Sequence, residues 1–399
     1  MKFARSIRPY SCALLLVTAG ACGALLTEAT PDADLLDVPL DGLSSTDLAA
    51  FARGDAEFSR PFSVREGLGP IFNDLSCAAC HSGDGRGRPE NVLTRIGTPA
   101  DGFLASLGGP QIQSRAIPGA SPEVVPVGVT LSLRLPPPVF GVGLIEAVPE
   151  AALLALADSA DTNRDGISGR PNWVVPAAYV PGLSGARRIG RFGRKGQTAT
   201  LLEQTVDAYH QDMGITTEQH PNDNLHPNDP ASASDRANDP EIPSATVAAV
   251  VAYLRMLAPP APGPETPDAV RGRALFTQAG CSACHVPTLT SGDAPIPALR
   301  GRTVTLYSDL LLHDMGPRLA DARPDGSATG TEWKTPPLWG LRLMTRFLNG
   351  QAFLLHDGRA RSIAEAIDWH GGEADRARTH WLGLSPADQR ALLAFVGSR

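Results

Sequence analysis

At 399 residues the chain is long enough for two or three domains, and its 42% of hydrophobic residues can furnish real cores. Forty glycines and 36 prolines imply extensive loop. A formal net charge of −7 argues against polyanion binding, nucleic acid included.

The first thirty residues read as an export signal. Lys2, Arg5 and Arg8 form a basic start, and residues 11–26 (SCALLLVTAGACGALL) form an apolar run too short and too rich in small residues for a spanning helix. Within it, AGAC at 19–22 resembles a lipoprotein cleavage box, with Ala19 where Leu is usual. It predicts a signal over 1–22 and a lipid anchor on Cys22. The plain alternative is an ordinary signal peptide cut nearby. Both routes predict a periplasmic or cell-envelope protein.

Of six cysteines, Cys12 and Cys22 belong to the signal. The other four form two Cys-x-x-Cys-His motifs, Cys77-Cys80-His81 and Cys281-Cys284-His285. This is the attachment signature of c-type haem. Two thiols add across the two vinyl groups of one porphyrin, and the adjacent imidazole becomes the proximal iron ligand. A disulfide hairpin needs no histidine. A thioredoxin-like site would open a helix in a βαβ context, and a shared four-ligand zinc site would leave both histidines idle. The motifs predict two covalently bound haem c groups, with His81 and His285 on the irons.

Residues 65–81 (REGLGPIFNDLSCAACH) read as a helical entry to the first motif. In DTNRDGISGRPN (161–172), Asp161, Asn163 and Asp165 take positions 1, 3 and 5 of a calcium loop, but Asn172 stands where a bidentate Glu is expected. The alternative is an Asx-rich turn. The polar tract 220–241 reads as a mobile loop or docking flap, with His220 and His226 solvated. Residues 246–258 form an amphipathic helix, and 258–269 a Pro-rich linker. A second entry helix follows, with Val270, Ala274 and Leu275 on one face and Gly280 as its stop. The C-terminal stretch predicts two helices, the last capped by Ser385-Pro386.

The halves echo each other. PPVFGVGLI (137–145) matches PPLWGLRLM (336–344), 56 and 51 residues after their own haem histidines, and DMG recurs at 212–214 and 314–316. The pattern predicts a mainly α chain with little β and extensive loops. It would comprise two cytochrome c-like haem domains, 30–257 and 270–399, joined by the linker 258–269.

These segments, with IGRFGRKGQ (189–197), EWKTPPLWGL and FLLHDGRARSIAEAIDWHGGEA, resemble the bacterial di-haem oxidoreductases of the thiol oxidoreductase-like type. Those are relatives of the di-haem cytochrome c peroxidases and of the di-haem enzymes that mature methylamine dehydrogenase. One departure is Arg194, where the family tends to have Trp. With every mature cysteine in a haem linkage or lipidated, any thiol in the chemistry would be substrate.

The resemblance implies further roles. Laid on the peroxidase pattern, HDGRARSIAEAIDWHG puts the second haem's sixth ligand at His370, fourteen residues past His356 and so a near-whole number of helical turns. Met344, His313 and Met315 are rivals. For the first haem, the iron is open or is reached by His210, Met213, His313 or Met315. The resemblance places Glu146 beside that iron as the acid–base residue that moves a proton between peroxide oxygens. It also suggests calcium between the haems. Trp173, Trp333, Trp339 and Trp369 are core residues or electron carriers. The expected function is peroxide reduction fed by a small cytochrome or cupredoxin-like donor. The alternatives are a pure electron carrier with both irons six-coordinate and an oxidase of a partner protein or other substrate.

Overall fold

The computed structural model describes residues 35–227 and 237–399. The export signal, Cys22 and part of the 220–241 tract lie outside them. The chain is 34% helix and 12% strand, in line with a mainly α reading.

The helices are short and set by local capping. α1 (Ser45–Ser59) opens on a reciprocal Ser44–Asp47 capping box. There follow α2 (Cys77–Cys80), α3 (Val142–Ala147), α4 (Glu150–Leu154), α5 (Leu201–Met213), α6 (Ser244–Met256) and α7 (Pro267–Gln278). The chain ends with α8 (Leu341–Phe347), α9 (Ile363–Trp369), α10 (Asp375–Leu382) and α11 (Pro386–Val396). Strands among the described residues form two-stranded antiparallel ribbons, the longest pairing Leu93–Gly97 with Thr130–Arg134. No helix among the described residues is long and apolar enough to cross a membrane.

The largest core crosses the linker. It draws Phe58, Val206 and Tyr253 from one side and Leu299, Leu306 and Leu343 from the other. The linker is itself pinned: Ala258 N–H donates to Val38 O at 2.8 Å and Gly263 N–H to Ser398 O at 2.7 Å. A smaller cluster of Phe276, Tyr307, Trp381 and Phe395 packs around the second motif, with Cys281 at its edge.

Two internal echoes are contacts. α1 packs on α6 at Gly54, where a Cβ would lie 2.2 Å from Ala249 O; α7 packs on α11 at Gly272, where it would lie 2.0 Å from Ala391 O. Four residues on, each helix presents a phenylalanine to its own motif histidine. The ring centroids are 6.1 Å apart for Phe58–His81 and 6.3 Å for Phe276–His285. The underlying repeat is RGDAEF (53–58) against RGRALF (271–276). The Pro-Pro repeats interlock across the halves: a Cβ on Gly141 would strike the Trp339 ring, and one on Gly340 the Phe140 ring. Both glycines have positive φ and start helices, α3 and α8.

Three expectations change. Residues 65–81 are not a helix; Gly67, Gly69 and Pro70 break them into a 3₁₀ turn, the two-residue strand Ile71–Phe72 and the single turn α2. The first half's counterpart of α7 is α1. On α7 the buried face is Ala269, Gly272, Leu275 and Phe276, while Val270 is exposed, because α11 docks where glycine lets the backbones touch. The C-terminus holds three helices, since α9 stops at Trp369 and the chain turns through Gly371-Gly372 before α10.

Gly54→Ala and Gly272→Ala should each cost about 1–3 kcal/mol by forcing helices apart. Ala274→Ser, on the exposed face of α7, should stay within about 0.5 kcal/mol. Thermal unfolding of the three variants reads the difference.

Candidate metal centres

In the first motif Ser76 caps α2 by accepting the Ala79 N–H, and this one turn sets the Cys77–Cys80 spacing. The His81 N–H closes the turn on Cys77 O at 2.9 Å. The His81 ring donates from Nδ1 to Pro137 O at 2.8 Å. A carbonyl can only accept, so the neutral ring carries its proton on Nδ1 and its lone pair on Nε2, with the Gly85 main chain also close to the ring. In the second motif His285 Nδ1 donates to Tyr307 O at 2.9 Å, with the same result. Burial drives both imidazoles down to about 4, so each ring is neutral at physiological pH. All four cysteines are free thiols. Burial pushes Cys77 up to about 12 and Cys281 to about 11, so they stay protonated. Asp212 adds to the effect at Cys77; its own carboxyl is raised by burial to about 6 and accepts Gln111 Nε2 at 2.6 Å.

His370 shares this arrangement. It caps the C-terminus of α9, and its Nδ1 donates to Ala366 O at 2.7 Å, which leaves Nε2 free. It also lies close enough to His285 to help hold that imidazole neutral. His313 does not. Its Nε2 bonds Asp309 at 2.8 Å, its Nδ1 bonds Glu373 at 2.7 Å, and Cys284 Sγ lies 3.7 Å from Nδ1. Burial would lower its pKa, but the bonds to Asp309, Cys284 and Glu373 outweigh burial and raise it to about 12. Met344 is buried on α8 among Leu135, Leu348 and Phe353, as core. For the first centre, His210 Nε2 donates to Asn222 O at 3.2 Å and its ring lies tilted against that of His220, centroids 3.7 Å apart. Met213 is buried in the main core.

Glu146 sits in the last turn of α3. Its Oε1 accepts the Leu201 N–H that opens α5, at 2.8 Å, and its Oε2 pairs with Arg255 Nε at 2.6 Å. It lines a cleft of about 530 Å³ together with Glu150, Arg188, Arg191 and Arg255. Helix α6 links this carboxylate to the first motif: Arg255 holds Glu146, and Tyr253 packs on Phe58 beside His81. In the 161–172 stretch, Asp161, Asn163 and Asp165 turn oxygens onto the loop's own Gly166, Asp165 and Ile167 N–H groups. That is the behaviour of an Asx-rich turn. Trp333 stacks on His356 at 3.6 Å and 8°, with Arg134 and Lys195 over its ring. Trp339 packs between the halves, and Trp369 lies under Arg318 and Arg359.

The His313 trio was not legible beforehand, because Asp309 and Glu373 are 64 residues apart in sequence. It also ties the halves together: Ser168 Oγ donates to Glu373 at 2.8 Å. Since the His313 pKa lies above its ordinary 6.5, the contribution of its charge is complete below about pH 6.5. It shrinks above that and is gone near pH 12. His313→Gln leaves two buried carboxylates uncompensated and should cost about 3–5 kcal/mol. Stability measured from pH 6 to 10 should fall more steeply in the wild type than in the variant.

Residues 25–96 and 119–399 match the family described as "Di-haem oxidoreductase, putative peroxidase". Among curated proteins none matches the chain. Two of the solved structures similar to this chain are the following. One is the hydrazine synthase of Kuenenia stuttgartiensis pressurised with 20 bar xenon, at 14% identity over 99% of this chain and 100% of that one, TM-score 0.39. The other is a MauG-like protein associated with microbial copper homeostasis, at 17% identity over 94% of this chain and 93% of that one, TM-score 0.40. The family match takes in both motif histidines and their carbonyl partners, and the chain belongs to the di-haem oxidoreductase family.

Proposed function

We propose that this chain is an exported di-haem c-type oxidoreductase with one six-coordinate and one open centre. The observation that carries the reading is the shared tether: in both motifs the histidine gives Nδ1–H to a main-chain carbonyl and keeps Nε2 free, beside two free thiols. Cys77 and Cys80 would hold one haem by thioether bonds and Cys281 and Cys284 the other, with His81 and His285 as axial ligands. Bound there, the haems supply one-electron chemistry, from a small cytochrome or cupredoxin-like donor at the C-terminal centre to an oxidant such as peroxide at the N-terminal one.

His370 would be the sixth ligand of the second centre. Its free Nε2 and its closeness to His285 support this, and its rival His313 has both ring nitrogens engaged. An open first centre is supported by the commitments of His210, Met213 and His313 elsewhere. Glu146 is the proton-handling group. The Leu201 N–H and Arg255 fix its carboxylate at the cleft, where it would accept a proton from one oxygen of the oxidant and return it to the other. The 1–22 signal and a Cys22 anchor would place the protein in the cell envelope.

Intact mass of the mature protein should show two added tetrapyrroles, one lost in the Cys77→Ala/Cys80→Ala pair and one in Cys281→Ala/Cys284→Ala. A high-spin ferric band that shifts with cyanide or peroxide should accompany a low-spin one, and His370→Gly should convert the second to high spin. Glu146→Gln should slow peroxide turnover by about 10²–10⁴-fold with the spectrum unchanged. Two low-spin centres in every redox state would establish the pure carrier instead, and a colourless protein would overturn the reading.

A further inference from the structure

Several buried cations of this chain meet carboxylates. Arg134 bonds Asp321 and Asp325 at 3.0 and 2.9 Å, Lys195 Nζ bonds Asp321 at 2.7 Å, and Arg323 pairs with Asp325. Three neighbouring cations do not. Among the described residues the side chain of Arg86, buried, donates to Leu355 O at 3.1 Å and to no carboxylate. Arg194, half-buried, donates to Leu135 O, from Nε at 3.0 Å and from its second terminal nitrogen, and to no carboxylate among the described residues. Lys334 has no side-chain partner among the described residues and is half-buried.

These three charges converge. Leu135 N–H donates to His356 O at 2.8 Å, so the carbonyls holding Arg86 and Arg194 lie on adjoining segments; Gly87 N–H on Pro136 O at 3.0 Å closes the junction. Lys334 N–H donates to Arg194 O at 3.2 Å. Burial and then the charge of Arg86 lower the pKa of Arg194, with Arg134 adding to it and Asp357 opposing, and burial and then Arg194 lower that of Lys334, with Asp309 opposing, so like charges lie close together. The place is specific. Arg194 grips Leu135 two residues from Pro137, which holds His81. Lys334 feels Asp309, whose N–H bonds Cys284 O in the second motif at 2.9 Å. The chain has only three lysines, and Lys334 is one of two among the described residues, both at this junction. Cations gathered where Arg86 is buried and Arg194 and Lys334 are half-buried, none of them bonded to a carboxylate among the described residues, favour an anion among them.

We propose that Arg86, Arg194 and Lys334 form a carboxylate-binding cradle between the two motifs that takes porphyrin propionate groups and raises the reduction potential of the haem it holds. The assignment rests on the di-haem reading. Removing a cation beside a haem disfavours the reduced state, which carries one positive charge fewer, so the midpoint falls.

Redox titration of the absorption bands of the holoprotein tests this, with two tetrapyrroles per chain verified by mass. Arg194→Leu and Lys334→Met should each lower one midpoint, whereas Arg194→Lys and Lys334→Arg should leave it near the wild-type value. If the charge-removing variants fail to mature, resonance Raman on the two conservative variants decides: the propionate bending mode should shift in both. Unchanged midpoints, or unchanged propionate modes where only the conservative variants mature, overturn the proposal. A wild-type midpoint that moves when chloride is exchanged for phosphate would assign the cradle to a free anion and overturn the propionate assignment. Peroxide turnover does not enter these readings, so failure of the peroxidase reading and failure of the cradle are separable.

Discussion

The hydrogen bond from a histidine Nδ1–H to a main-chain carbonyl is the constraint on which both centres depend. An imidazole can ligate iron only through a deprotonated nitrogen, and a free ring divides its proton between two positions. Pro137 and Tyr307 remove the choice for His81 and His285, and Ala366 removes it for His370. Each acceptor belongs to a segment held by packing: the Pro-Pro run interlocked with Trp339, the aromatic cluster around Tyr307, and the last turn of α9.

Those segments are placed by a fold that uses one device twice. A glycine lets two helix backbones touch, and a phenylalanine one turn later presses on the motif histidine. The close approach leaves little room for slippage between α1 and α6 or between α7 and α11, so ring position follows backbone position. The halves are not separate beads. Their largest core is continuous, the linker is bonded at both ends, and the Pro-Pro repeats meet aromatic to glycine. Charge is partitioned with similar economy. The His313 imidazolium balances Asp309 and Glu373 next to the second motif, whereas Arg86, Arg194 and Lys334 leave positive charge between the motifs.

Much of the chemistry was legible because it is local. Cys-x-x-Cys-His needs only five consecutive residues, so both motifs, and with them the proposed attachment sites and proximal histidines, stand in the sequence. The Ser385-Pro386 cap and the α6 helix were likewise fixed by near neighbours. The helical entry over 65–81 failed because an apolar run was weighed above the breakers Gly67, Gly69 and Pro70. The true counterpart, α1, was signalled by RGDAEF against RGRALF, a repeat masked by the longer span between Phe58 and Cys77. The α7 face failed because glycine counts for nothing on a hydrophobicity scale, although Gly272 is the contact.

By itself the sequence determined the di-haem family, the two Cys-x-x-Cys-His motifs with their histidines and the two-fold repetition, since such motifs and helix capping act over a few residues. Tertiary structure alone decided which histidines carry their lone pair on Nε2, that His313 is an ion-paired strut, and which cations between the motifs stand without a bonded carboxylate. Those properties depend on groups tens to hundreds of residues apart meeting in a low-dielectric interior, where an unmet charge or an unfixed proton is costly.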